Sequence, residues 1–371
     1  MSKGVVFLLC ALVLLPSVLY AQESDIEPIE DAAADSSAVS DSSVESKRVR
    51  FAAIPMVNYD PSFEWNLAAL ANGFFAVSPA DTVSPSSMAG AIVGYTTNGT
   101  WYWSLYTKLY LDEDNYRATA GYGDASVNFQ YYDELVGSFI DFNSVHDGFL
   151  LELQRRVYKR WYLGLRYVNL KTKTKYEIGG QTGDPTRQNM NNLGLVVSHD
   201  ARDHIYSPYH GHYMNLRTGH YRDAWGSDYI YDKYEFDVTK FFPLSDHQVV
   251  AARCAGFVAT GDVPFEGQYV VGRDDIRGYT NGKHRGNQVY DLQGEYRWNV
   301  HGKWGVVAFG GVATAVDDPE EITWSGLLPA VGAGIRYMAI PSEQINIGID
   351  VAVGKDDWGV YFRIGEVFGD K

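Results

Sequence analysis

The alternation between Gln288 and Trp298 constrains this chain more than any other stretch. Tyr290, Leu292, Tyr296 and Trp298 fall on one side, and Asp291, Gln293, Glu295 and Arg297 on the other. Side chains of a strand point to opposite faces with period two, so the segment reads as a strand with one apolar and one polar face. Residues 229–242 repeat the pattern, with Ile230, Tyr234, Phe236, Val238 and Phe242 set against Lys233, Glu235, Asp237 and Thr239. Ile345, Ile347, Ile349 and Val351 alternate with Gln344, Asn346, Gly348 and Asp350. Two packed sheets would show the same alternation, so strand length and number must decide.

Sixteen candidate strands can be marked, the first at 49–59 and the last at 357–368. Most reach the ~9–11 residues that cross a bilayer at a tilt. An even count suits a bacterial single-chain barrel. With the amino end in the periplasm, the turns 158–160, 243–245, 299–302 and 339–342 follow even strands and are short. The stretches 133–146, 172–189 and 261–286 follow odd strands and are long. Short periplasmic turns and long outer loops are the barrel expectation. Trp101, Trp103, Trp161, Trp298, Trp304 and Trp358 lie near strand ends, where they would form interfacial girdles. The abundance of Tyr, Phe, Trp and Gly favours strands and turns over helices. The expected fold is all-β, a transmembrane antiparallel β-barrel of sixteen strands over residues 48–371.

The start of the chain agrees with export. Lys3, the apolar run Val5 to Tyr20 and then Ala21 read as a signal peptide over residues 1–21. That run is shorter than the ~20 residues of a spanning helix, and no other apolar run reaches such a length. Insertion into a membrane must therefore use strands. Residues 22–47 form an acidic Ser/Ala-rich tail with no aromatic residue. Such a composition cannot bury a core, and disorder is expected there.

The charge balance of 31 basic and 46 acidic residues, net −15, argues against a nucleic-acid partner. Two cysteines, Cys10 and Cys254, provide neither a disulfide framework nor a cysteine zinc site. His199, His204, His210, His212 and His220 gather around one turn, but solvated rim histidines account for them more simply than a metal. No Gly-x-Ser-x-Gly element or comparable nucleophile arrangement stands out. Asn98-Gly99 reads as a hairpin turn. No catalytic residue, metal or cofactor is expected.

Two stretches go beyond a generic barrel. The first is Val271-Gly272-Arg273-Asp274-Asp275-Ile276-Arg277-Gly278-Tyr279, in the long segment between strands eleven and twelve. The second is Ser198-His199-Asp200-Ala201-Arg202-Asp203, followed by Pro208 and Gly211. Both resemble the bacterial surface antigen family of outer-membrane assembly barrels, the superfamily of BamA, TamA and the two-partner secretion pores. Ile276, Arg277, Gly278 and Tyr279 resemble its (Val/Ile)-Arg-Gly-(Phe/Tyr) loop motif. Asp200, Arg202, Asp203, Pro208 and Gly211 resemble its periplasmic turn between strands eight and nine. The opening Ile54-Pro55 and Tyr59-Asp60-Pro61 fit as well, as do the closing Phe362, Ile364, Gly365 and Phe368.

The resemblance implies that the loop folds into the lumen, with Arg277 held by an acidic inner wall. Glu295 stands where the family places such a partner, and a guanidinium fork suits a carboxylate in a confined lumen. Arg277 is therefore expected within ~6 Å of Glu295. Locking the loop is the plainer role for that pair, and it is compatible with a part in transport. One departure is Phe309-Gly310-Gly311, where the family carries an aspartate at the position of Gly311; the clamp should be weaker or rearranged. Another is the short tail in place of polypeptide-transport-associated domains. Pro55 in the first strand, with Gly359 and Gly365 near the last, suggests a weak seam where the sheet closes. The implied work is insertion or translocation of proteins, conceivably lipids, at the outer membrane. The expected partners are the lipid bilayer, unfolded outer-membrane protein clients and a separate periplasmic protein. A passive pore or structural barrel is the alternative.

Overall fold

The computed structural model describes residues 50–60, 64–133, 138–178, 181–272, 275–280 and 283–368; the proposed signal peptide and the acidic tail lie outside them. Sixteen strands of eight residues or more carry the architecture. They are β1 (Arg50–Asp60), β2 (Glu64–Phe75), β3 (Ser87–Thr96), β4 (Trp101–Leu111), β5 (Tyr116–Asp133), β6 (Ser138–Tyr158), β7 (Trp161–Ile178) and β8 (Thr186–Asp200). The second half comprises β9 (Gly211–Tyr221), β10 (Tyr231–Ser245), β11 (Gln248–Gly261), β12 (Gln288–His301), β13 (Trp304–Val316), β14 (Leu328–Ile340), β15 (Ile345–Gly354) and β16 (Asp357–Ile364). Each pairs antiparallel with its chain neighbours.

Polarity is inverted relative to a water-soluble protein. Leu67, Val93, Leu105, Leu165, Leu195, Ile335 and Val351 are exposed on the outer wall, whereas Arg253, Glu295 and Asp350 are almost wholly buried inside. Exposed aliphatic side chains around a sheet whose polar residues face its interior require a hydrocarbon surround. The alternation on β10, β12 and β15 is this inside-out pattern: Glu235, Asp237, Glu295 and Asp350 face the lumen. The described helices are single 3-10 turns, and none is long and apolar enough to cross a membrane.

Three strands run longer than the sequence suggests. Much of 133–146 and 172–189, expected as loops, belongs to β6, β7 and β8, which rise together beyond the apolar belt. The inward residues there are Ser144, Thr172 and Thr174, with Ser144 and Thr174 joined hydroxyl to hydroxyl at 3.0 Å. The β7 extension is polar on both faces, and the β6 extension spreads Phe139, Ile140, Phe142 and Val145 over both, so neither has an amphipathic signature and both read as loops.

The sheet meets itself weakly. β1 pairs with β2 along its whole length, from Arg50↔Phe74 to Asp60↔Glu64, yet shares one pair with β16, Tyr59↔Val360. β16 ends at Ile364 rather than at 368. Gly365 takes a left-handed backbone (φ 76°) and turns the chain end inward. Phe368 then packs against Phe241, Val249 and Ala251 on the far inner wall. On the periplasmic side Arg50 reaches past β16 to Glu343, 2.8 Å away.

Candidate functional site: a charge ring beneath the lumen loop

The described residues of the segment between β11 and β12 fold into the lumen and not out into solvent. Val271, Ile276 and Tyr279 are buried against Val289, Ala313, Leu328 and Ala330 of β12, β13 and β14. At Gly278 the backbone is left-handed (φ 107°), and a Cβ there would stand 3.1 Å from the Val353 carbonyl carbon. Glycine is what lets the loop lie flat against β15. The Gly278 N–H donates to the Tyr361 hydroxyl on β16 at 2.8 Å. Tyr279 donates its hydroxyl to the Pro329 carbonyl at 2.6 Å and accepts from the Lys355 N–H. Thr280 bonds Asp357 through both its N–H and its hydroxyl. The motif is thus fastened to the last three strands.

Arg277 stands at the centre. Its Nη2 lies 2.6 Å from Glu295 Oε2, and its Nη1 lies 2.6 Å from Asp350 Oδ2. Its guanidinium also covers the Phe309 ring, 3.3 Å from the centroid. The second carboxylate therefore comes from β15, two strands beyond the position where Gly311 leaves a gap. From these two acids the contacts continue into a closed ring. Glu295 Oε1 accepts from Arg297 Nε (2.8 Å), and Arg297 Nε faces Glu366 Oε2 (3.6 Å). Glu366 Oε2 accepts from Arg336 Nε (3.2 Å), whose Nη1 returns to Asp350 Oδ1 (2.5 Å). Three arginines alternate with three carboxylates, so the ring carries no net charge. Alternation matters because a buried charge is tolerated only when paired and hydrogen-bonded. Arg363 approaches Asp350 from outside the ring at 3.6 Å.

A second ionic chain lies alongside. Arg253 bridges Asp237 (2.5 Å) and Asp291 (3.1 Å) across β10, β11 and β12. Asp275 of the loop sits above it, accepting from the Gly272 N–H at 2.8 Å. Burial, and then the neighbouring Asp291 charge, push its carboxyl up to about 7.

The turn motif occupies the other end of the barrel. Arg202 grips Asp200 with two parallel bonds of 2.8 Å, and Arg117 on β5 reaches the same carboxylate at 2.9 Å. Asp203 Oδ1 accepts the N–H groups of His204 and Tyr209. Pro208 is buried in the same turn. Gly211 opens β9 in a left-handed backbone (φ 91°), and a Cβ there would stand 2.0 Å from the Ala201 carbonyl oxygen, so no larger residue fits. The turn then crosses the mouth. Tyr206 packs edge-on against Phe74 (5.8 Å) and bonds the Ser86 carbonyl, while Asn299 donates to the Tyr209 hydroxyl.

The remaining positions separate from the ring. Phe362 and Ile364 belong to β16, paired with Ile349 and Ile347, and Gly365 and Phe368 form the inward turn described above. His199 and His212 share a 3.0 Å contact on the outer wall, while His220 contacts Asp232. Among the described residues no group of three or more His, Cys, Asp or Glu is placed to hold a metal. Asp350, Arg336 and Glu366 were not singled out by sequence. Asp350 alone carried a signal, as a carboxylate on the polar side of an otherwise aliphatic strand.

Residues 88–368 match the Omp85 superfamily domain. The fold is similar to that of BamA from Haemophilus ducreyi lacking POTRA domains 1–3, at TM-score 0.57 and 12% identity over 85% of this chain and 70% of that one. It is also similar to CdiB from Acinetobacter baumannii (TM-score 0.57, 12% identity, 85% and 59%) and to CdiB from Escherichia coli (TM-score 0.60, 10% identity, 85% and 62%). The chain thus spans about three fifths of the CdiB chains. No curated protein matches the sequence.

Proposed function

We infer, from the premise that this chain belongs to the Omp85 superfamily, that it assists the insertion or translocation of proteins at the bacterial outer membrane. Lipids are a second cargo class that the same route would admit. The observation that carries this reading is the seam. Among the described residues Tyr59↔Val360 is the one pair joining β1 to β16, and where the chain turns inward at Gly365 the start of β1 is left without a ladder partner on that side. Unpaired backbone groups facing hydrocarbon are costly, and an incoming strand would satisfy them. A seam held this lightly lowers the barrier for polar backbone to enter lipid.

Arg277 is assigned the part of a lock. It fastens the loop to β12 and β15 and, through Arg336 and Glu366, to the turned chain end. No residue is assigned to catalysis. Residues 22–47 carry no aromatic residue and only four scattered Ile and Val, a composition poor in the apolar surface that captures a client, so recruitment is assigned to a separate periplasmic partner.

The test is the folding rate of an unfolded outer-membrane protein into liposomes containing this barrel. Acceleration that Arg277→Ala abolishes is the expected result. No acceleration by a barrel shown to be folded removes unassisted insertion as its activity. A disulfide between Tyr59→Cys and Val360→Cys adds a second arm: it should stop the acceleration, and reduction should restore it.

A further inference from the structure

The rising part of β7 carries three lysines on its outer face. Lys171, Lys173 and Lys175 alternate with Thr172 and Thr174, which are buried toward the lumen. On β8 the residue directly opposite Lys173 is Arg187. Like charges directly opposite across a ladder destabilise the pair. Among the described residues no carboxylate comes within ion-pair distance of any of the four cations. Two described acids of this region are otherwise placed. Asp147 stands opposite Lys171 on β6 without an ion pair, and Asp228 accepts from the Asn189 N–H and side-chain amide.

The height of these cations on the barrel is informative. Below them the outer faces of β6, β7 and β8 are apolar: Leu151 and Leu153, Leu163 and Leu165, and Leu195 are all exposed. Phe149 and Tyr167 close this belt at its upper edge, with ring centroids 5.6 Å apart. Lys171 begins just above. The odd-to-even hairpins of β5–β6 and β7–β8 mark this as the outer side. On a chain of net charge −15, these four cations stand together at headgroup level with no ion pair to a described carboxylate, a patch that suits an anion from the surroundings.

We propose that Lys171, Lys173, Lys175 and Arg187 form a binding site for the headgroup phosphates of an outer-leaflet lipid, with Lys173 and Arg187 gripping one phosphate between β7 and β8. A phosphate monoester offers three acceptor oxygens and nearly two negative charges, enough to turn the opposed Lys173–Arg187 pair from repulsive to bridged. Lys171 and Lys175, two residues away on the same face, would meet a second phosphate. The ligand class is therefore a lipid with more than one phosphate on its headgroup, its acyl chains lying on Leu163 and Leu165.

Native mass spectrometry of the full chain in detergent tests this, with diphosphoryl lipid A, its monophosphoryl form and inorganic phosphate as probes. The wild type should retain the diphosphoryl lipid preferentially. Lys173→Gln with Arg187→Gln should weaken retention about tenfold or more, while the exchange Lys173→Arg with Arg187→Lys should preserve it. Heat-dependent gel mobility verifies that each variant is folded. Wild-type retention that does not weaken with added salt would overturn the proposal without reference to any variant. Equal retention by wild type and glutamine variant would overturn it too. Displacement by inorganic phosphate as effective as by the lipid would identify a free-phosphate site and reject the lipid.

Discussion

Arg277 holds two carboxylates from strands that are not neighbours, so its removal leaves Glu295 and Asp350 partly uncompensated in a place water reaches poorly. Arg277→Ala should destabilise the folded barrel by about 3 kcal/mol or more, read as the denaturant midpoint of the gel-shifted band. Arg277→Lys should recover only part of this, because a point charge cannot bridge both acids as a planar fork does. In a double-mutant cycle with Glu295→Gln the two effects should fall well short of additive; additivity would mean that the 2.6 Å contact contributes nothing. Arg277 and Glu295 could be placed beforehand because they belong to a short motif and to the strand following it. The other half of the ring could not. Asp350, Arg336 and Glu366 meet only after β14, β15 and β16 are in register and the chain has turned at Gly365, and no local pattern encodes that meeting.

At the scale of the element, the lumen loop should respond to pH through Asp275. Its carboxyl titrates near 7 when buried beside Asp291, above the usual value of 3.8. The docked loop therefore favours the protonated acid. The stabilisation this gives is complete below pH 3.8 and is lost as pH rises through about 7. The groups facing Asp275 are Asp291 of β12 and, behind it, Arg253 of β11, itself bound to Asp237 of β10. Hydrogen exchange of the 275–280 amides should quicken between pH 6 and 8 relative to the intrinsic rate, and Asp275→Asn should remove the quickening. An unchanged profile in the asparagine variant would assign the response elsewhere. The strands divide by how far they could be read. β10, β12 and β15 announce themselves because hydrocarbon outside and polar lumen inside impose strict alternation. The upper parts of β6, β7 and β8 stand beyond the hydrocarbon, where on β7 Lys171, Lys173 and Lys175 alternate with threonines and nothing selects an apolar face.

Over the whole molecule, the interior is obstructed at two levels. The loop packs Val271, Ile276 and Tyr279 against β12–β14, and the turn 201–210 lays Tyr206 and Tyr209 across the opposite mouth. The protein in a planar bilayer should conduct ions poorly, and replacing 271–280 by a short Gly-Ser linker should raise conductance severalfold. Stable, equal conductance by both forms would favour a passive pore. The sixteen-strand count and the antiparallel neighbour order were legible in the sequence, whereas this double obstruction was not, since it depends on contacts across the width of the barrel. The charge ring also sets an order of events in time. It joins a residue of the loop to Glu366, among the last residues of the chain. Arg297 and Arg336 lack one of their carboxylates until that end has arrived. A barrel in which the segment after β16 has not docked would keep these cations uncompensated and its loop imperfectly seated, so closure of the ring reports that β16 and the turn at Gly365 are in place.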